Sequence, residues 1–130
     1  MADYTHLNLM DVEETVSARV PSIEGRFGRT SLESDHLGVS HWRYAPNHHS
    51  TTGHRHREQE EVYLVLSGSG RMRLGDDIVA LRQWDIVRVA PSVVRAMEAG
   101  PDGLEYIAVG SDRPESGDGE SVADFWPVEG

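Results

Sequence analysis

Apolar and polar positions alternate in short runs through the middle of the chain, with a period of two. In the segment His36 to Ala45, Leu37, Val39, His41 and Arg43 share one face; Gly38, Ser40, Trp42 and Tyr44 share the other, and Pro46 ends it. Val62 to Leu66 is apolar on both faces, with Glu61, Tyr63 and Val65 on one side and Val62, Leu64 and Leu66 on the other. Such a strand lies between two layers. Gly68 and Gly70 read as the turn that closes it. Arg71 to Leu74 alternates strictly with its charges outward, Gly75-Asp76-Asp77 is a hairpin turn, and Ile78 to Leu81 returns. Asp85 to Val89 and Val93 to Met97 are further strands, separated by Ala90-Pro91-Ser92. A turn over Gly100-Pro101-Asp102-Gly103 then precedes a last apolar strand, Leu104 to Val109. Many short strands without a long helix predict an all-β barrel or sandwich.

The two ends read differently. In residues 1–34, Leu7 to Val16 predicts a short helix or an arm, which Pro21 and Gly25 interrupt. Such an arm covers a sheet edge or pairs with a second subunit. Residues 35–110 are the barrel. Residues 111–130 are acidic, polar and rich in glycine, which predicts a loose tail. The run Asp124-Phe125-Trp126-Pro127 breaks that composition and is expected to dock on the barrel wall or on a partner.

Length and composition narrow the function classes. A chain of 130 residues supports one β core. It contains no cysteine, which excludes disulfides, thiolate nucleophiles and iron–sulfur ligation, and fits a reducing cytoplasm. Every basic residue is arginine, so Schiff-base chemistry and a P-loop lysine are excluded. The formal net charge of −10 argues against nucleic acid or an anionic membrane as partner. No apolar run reaches transmembrane length, and the first residues lack the pattern of a signal peptide.

The chemistry concentrates between Gly53 and Gly70. His54 and His56 are two apart, so in an extended strand they share a face. Glu61 follows five residues later, at the start of the apolar strand. Each piece alone is ordinary: a surface His-x-His, a solvated acid pair, a glycine turn. Together they form the two-histidine, one-carboxylate face of a divalent metal site. His6 and the loop pair His48-His49 read as exposed, and His41 reads as either a pocket residue or a hydrogen-bonded structural one.

This stretch resembles the first motif of the cupins, Gly-x5-His-x-His-x(3,4)-Glu-x6-Gly. His54, His56, Glu61 and Gly68 fall on the motif. Glu61 has the six-residue spacing to Gly68 that Glu60 lacks, and His48 stands at the leading glycine. The resemblance covers positions 37–110 and implies a double-stranded β-helix, or jelly roll. It also implies a homodimer, and a metal (iron, manganese, nickel or zinc) held by His54, His56, Glu61 and a later histidine.

That later histidine is missing. The second motif, Gly-x5-Pro-x-Gly-x2-His-x3-Asn, is matched only in rhythm. Trp84, Ala90, Ser92 and Ala99 replace its other residues, and Arg95 stands at the fourth ligand. Arginine has no lone pair to give. Three arrangements follow. His54, His56 and Glu61 bind metal alone and Arg95 receives a substrate carboxylate or phosphate. Alternatively, Arg95 pairs with Glu61 in a metal-free binding pocket, or it turns to solvent. Two functions stay open: a metal-dependent oxygenase, isomerase or lyase for a small polar or anionic molecule, and a non-catalytic small-molecule-binding protein. In either, Arg95, His41 and Tyr63 are the candidate ligand-binding residues.

Overall fold

The computed structural model describes residues 3–114 and 117–126. Among the described residues, eight strands form one curled antiparallel sheet: β1 Ile23–Phe27, β2 Gly38–Tyr44, β3 Gly53–His56, β4 Glu61–Leu74, β5 Asp77–Arg82, β6 Ile86–Val89, β7 Arg95–Gly110 and β8 Gly119–Val122. A 3-10 turn, Leu9–Asp11, and one short helix, α1 Arg29–Leu32, are the helical elements among the described residues. No helix among the described residues is long and apolar enough to cross a membrane. The strands run β1-β2-β7-β3-β8, and β4 joins β7 to β5 and β6. This is the expected all-β barrel.

Two of the predicted turns are not turns. β4 continues through Gly68 and Gly70, and β7 continues through Gly100 to Gly103. The two strands pair with each other along their length, and the pairing is irregular at these glycines. Gly68 (φ 77°) and Gly103 (φ 81°) occupy the left-handed region, and a Cβ on Gly68 would stand 2.1 Å from the Gly103 carbonyl oxygen. Only glycine permits that approach. Register shifts at Val65/Ser67 and Gly68/Gly70 change which residues face inward. Tyr63 and Val65 are buried before these shifts and Met72 after them, so the inward side passes from odd to even positions. Each long strand thus serves two walls of the barrel.

The N-terminal segment contributes an unforeseen strand. β1 pairs with β2, with Gly25 opposite Trp42. Glu14 ties the preceding arm to it by accepting hydrogen bonds from the amides of Gly25 (2.9 Å) and Val16 (2.7 Å), and these hold its carboxyl at about 2. The tail expected to be loose is partly built into the sheet: β8 pairs with β3 from Gly53/Val122 to His56/Gly119. Trp126 is buried, against Arg71 and beside His49. The companion residue Pro127 lies outside the described residues.

The core is Tyr44, Tyr63, Val65, Met72, Leu81, Val89, Met97, Leu104 and Tyr106. Trp42 and Tyr44 turn inward, toward the barrel cavity. The apolar outer positions Val62, Leu64, Ile107 and Val109 are paired across β4 and β7 and remain half-buried.

Candidate metal centre

β3 carries His54 and His56, with Arg55 on the opposite side against Glu120 at 3.7 Å. Glu61 opens β4, whose inward face continues with Tyr63. Arg95 opens β7 and is paired in register with His54 on one side and Leu74 on the other. The loop before β7 closes the group, because the Pro91 carbonyl accepts from the His56 amide at 2.8 Å.

These elements converge on one oxygen. Glu61 Oε1 is 3.1 Å from His56 Nε2, 3.5 Å from His54 Nε2, 2.7 Å from the Tyr63 hydroxyl and 3.2 Å from Arg95 Nη2. The candidate ligand atoms of His54, His56 and Glu61 all lie within 4.8 Å of one another. Burial pushes the Glu61 carboxyl up, but hydrogen bonds from His54, His56 and Tyr63 outweigh it and hold the group below the usual carboxylate range. Burial and the Glu61 charge push the Tyr63 hydroxyl well above its ordinary value, so it remains a proton donor to Glu61.

His56 has a second partner. Asp118, in the turn before β8, accepts from His56 Nδ1 at 2.9 Å, and its other oxygen accepts from the amides of Glu58 (2.8 Å) and Gln59 (2.9 Å). Burial pushes the Asp118 carboxyl up, but these bonds prevail and hold it at about 2. An ionised carboxylate only accepts, so Nδ1 carries the proton. In the neutral ring Nε2 is then a bare lone pair facing the Glu61 oxygen. Two acceptors at 3.1 Å repel unless a proton or a cation lies between them. The Glu61 bond accordingly raises the His56 pKa, against its own burial. The donor set fits a divalent ion: two imidazole Nε2 atoms, one carboxylate, and a carboxylate behind one histidine that fixes its tautomer.

Arg95 is 1 % exposed, so the solvent-facing arrangement is overturned. Its Nε donates to the Tyr63 hydroxyl at 3.3 Å, and its Nη1 donates to the carbonyls of Val93 (2.8 Å) and Pro91 (3.3 Å). Nη2 is buried against Glu61 without hydrogen-bond alignment. Arg95 is therefore held in place behind Glu61 and presents no free fork to a ligand. Trp84, standing where the second motif has glycine, has φ 72°, a conformation that glycine adopts freely. This agreement supports the register that places Arg95 at the fourth position.

Other candidates fall elsewhere. His41 does not line the cavity; it is buried on the opposite face of β2, where Nε2 bonds Glu105 at 2.6 Å. That corrects its assignment to ligand binding, because strand alternation sends Trp42 inward and His41 outward. His49 is not exposed: Nδ1 meets Glu98 and Nε2 meets the Trp126 carbonyl at 2.9 Å. The cavity itself holds about 570 Å³ and is lined by His54, His56, Glu61, Tyr63 and Arg95, with Trp42 among its aromatic walls. Asp118 was not legible in advance, since an aspartate in an acidic, glycine-rich tail carries no signal of its own.

The cupin domain family matches residues 40–110. No curated protein matches the chain by sequence. Among solved structures, the chain is similar to a cupin protein from Bacteroides fragilis, with a TM-score of 0.64, 19% identity, and coverage of 88% of this chain and 89% of that one. It is also similar to a variant of oxalate decarboxylase from Bacillus subtilis (TM-score 0.71, 16% identity), covering 86% of this chain but 31% of that longer one. KdgF from Halomonas sp. matches with a TM-score of 0.68 and 15% identity, covering 86% of this chain and 96% of the other. At these identities the likeness establishes the fold alone.

Proposed function

The chain belongs to the cupin family, and from that premise we propose that its barrel holds a divalent metal ion between His54, His56 and Glu61 and acts on a small anionic molecule. One observation carries the reading: Asp118 fixes the proton of His56 on Nδ1, leaving Nε2 directed at Glu61 with room only for a proton or a cation between them. When bound, the metal supplies Lewis-acid or oxygen-activating chemistry of the kind used by oxygenases, isomerases and lyases. The remaining roles belong to the chain. Asp118 orients His56, Tyr63 and Arg95 orient Glu61, and Trp42 and Tyr44 form part of the cavity wall. With both histidines neutral, a divalent ion, Arg95, Glu61 and Asp118 leave a net positive charge that an anionic ligand offsets. Oxalate decarboxylase, by its name, acts on a small carboxylate, which accords with that charge balance.

A second reading rests on the Arg95–Glu61 approach of 3.2 Å: a metal-free pocket in which Arg95 takes the place of the cation. Replacing Asp118 with asparagine separates the two. In the metal reading, Asp118→Asn lowers affinity for manganese or zinc about 10–100-fold by loosening the tautomer of His56. Competition against a fluorescent chelator measures it: an unchanged affinity removes the role given to Asp118, and no measurable binding by the folded parent speaks for the metal-free pocket.

The pH response has a definite sign. The His56 pKa is raised in the metal-free protein by the Glu61 bond. A raised histidine contributes stability below its unfolded value of about 6.5, and that contribution is lost as pH rises through the folded value. The chelator-treated protein should therefore melt at lower temperature as pH increases above about 6.5. Metal requires the unprotonated Nε2, so its affinity rises over the same interval. Added metal should reverse the alkaline fall in melting temperature, and calorimetry with and without manganese reads both effects.

A further inference from the structure

Among the described residues, Arg29 and Arg113 line the same cavity as the histidines, and neither has a carboxylate partner. Arg29 is held in one orientation by Ser111 and Gly38. Its Nη2 donates to the Ser111 carbonyl at 2.7 Å. Its guanidinium lies on Gly38, where an added Cβ would stand 2.7 Å from Nη2 and 2.8 Å from Nε. Glycine at 38 therefore leaves room for this one orientation of the fork. One carbonyl bond leaves most of the five guanidinium donors unused. In a chain of net charge −10, Glu61 and Asp118 are the carboxylates that line this cavity, and both are engaged by the histidines. Phe27 and Trp42, packed edge to face at 5.2 Å, provide an apolar wall of the same cavity.

We propose that the cavity binds an organic dicarboxylate, with one carboxylate at the His54–His56–Glu61 cluster, the second at Arg29 and Arg113, and the hydrocarbon or aromatic body against Phe27 and Trp42. The first end rests on the metal reading given above; the second stands on Arg29 and Arg113 independently. A guanidinium pairs with a carboxylate through two parallel N–H···O bonds, which distinguishes a diacid from the monoacid of the same skeleton.

The test is calorimetric titration with matched acids: succinate through sebacate and the benzene dicarboxylates, each beside its monoacid. Parent, Arg29→Gln, Arg29→Lys and Arg113→Ala are compared, chelator-treated and manganese-loaded, with circular dichroism confirming the fold. The best diacid should bind the parent about tenfold more tightly than its monoacid. Arg29→Gln should remove most of that advantage, Arg29→Lys should keep part of it, and Arg113→Ala should reduce it. Equal binding of diacid and monoacid to the parent would overturn the proposal, as would an advantage that survives in Arg29→Gln, or no binding of any acid to folded protein. A diacid advantage that depends on Arg29 but not on manganese supports the second subsite while removing the metal reading. Binding strengthened by manganese but indifferent to Arg29 leaves the metal reading in place and rejects the dicarboxylate.

Discussion

Arg95→Leu should destabilise the protein by about 3–5 kcal/mol, the cost of removing one partner from a buried ion pair. Arg95 is 1 % exposed and donates to the carbonyls of Val93 and Pro91 and to the Tyr63 hydroxyl. Leucine leaves those acceptors unpaired in the interior and leaves the Glu61 charge with the histidines and Tyr63 alone. Pro91 also receives the His56 amide, so the loop that steadies β3 loosens with it. Urea unfolding of parent and variant measures the effect, and a loss under about 1 kcal/mol would place the guanidinium in a wetter, less essential setting. The same substitution removes a positive charge 3.2 Å from Glu61, so the folded fraction should bind a divalent cation more tightly than the parent. Arg95→His should bind it more tightly still, by offering an imidazole in place of the guanidinium.

The second large effect is on metal affinity. His56→Ala should lower it by more than about 100-fold, beyond the usual cost of losing an outer partner of a ligand. The variant loses one of three ligands and frees Asp118 at once. His49→Ala is the control. His49 bonds Glu98 and the Trp126 carbonyl, so its loss should loosen the C-terminal segment and leave metal affinity near the parent value. Equal losses in the two variants would move the site away from β3.

Why some of this was visible in the sequence and some was not follows from particular residues. His54, His56 and Glu61 were legible because strand alternation and a fixed spacing encode their shared direction, and the structure brings them within 4.8 Å. The hairpin at Gly75-Asp76 was legible from turn chemistry. Gly68, Gly70 and Gly103 were misread because a glycine that ends a strand and a glycine that bends one look alike in sequence. What separates them is a backbone contact between β4 and β7 across more than thirty residues of chain, at 2.1 Å from the Gly68 Cβ position to Gly103. Asp118 and Arg29 were missed for a related reason. Their environments are made by segments remote in sequence, β3 for one and Ser111 with Gly38 for the other. His41 was ambiguous because alternation gives two faces but does not say which encloses the cavity.

The metal content of untagged protein, equilibrated with manganese or zinc and then freed of excess ion, tests the central claim most directly. Mass spectrometry of the elements should find about one ion per chain at about pH 8, and its loss below about pH 6 as protons compete with the ion for His56 Nε2. A folded protein that retains no ion at either pH, while Arg95 still pairs with Glu61, would contradict the claim and leave the metal-free pocket in its place.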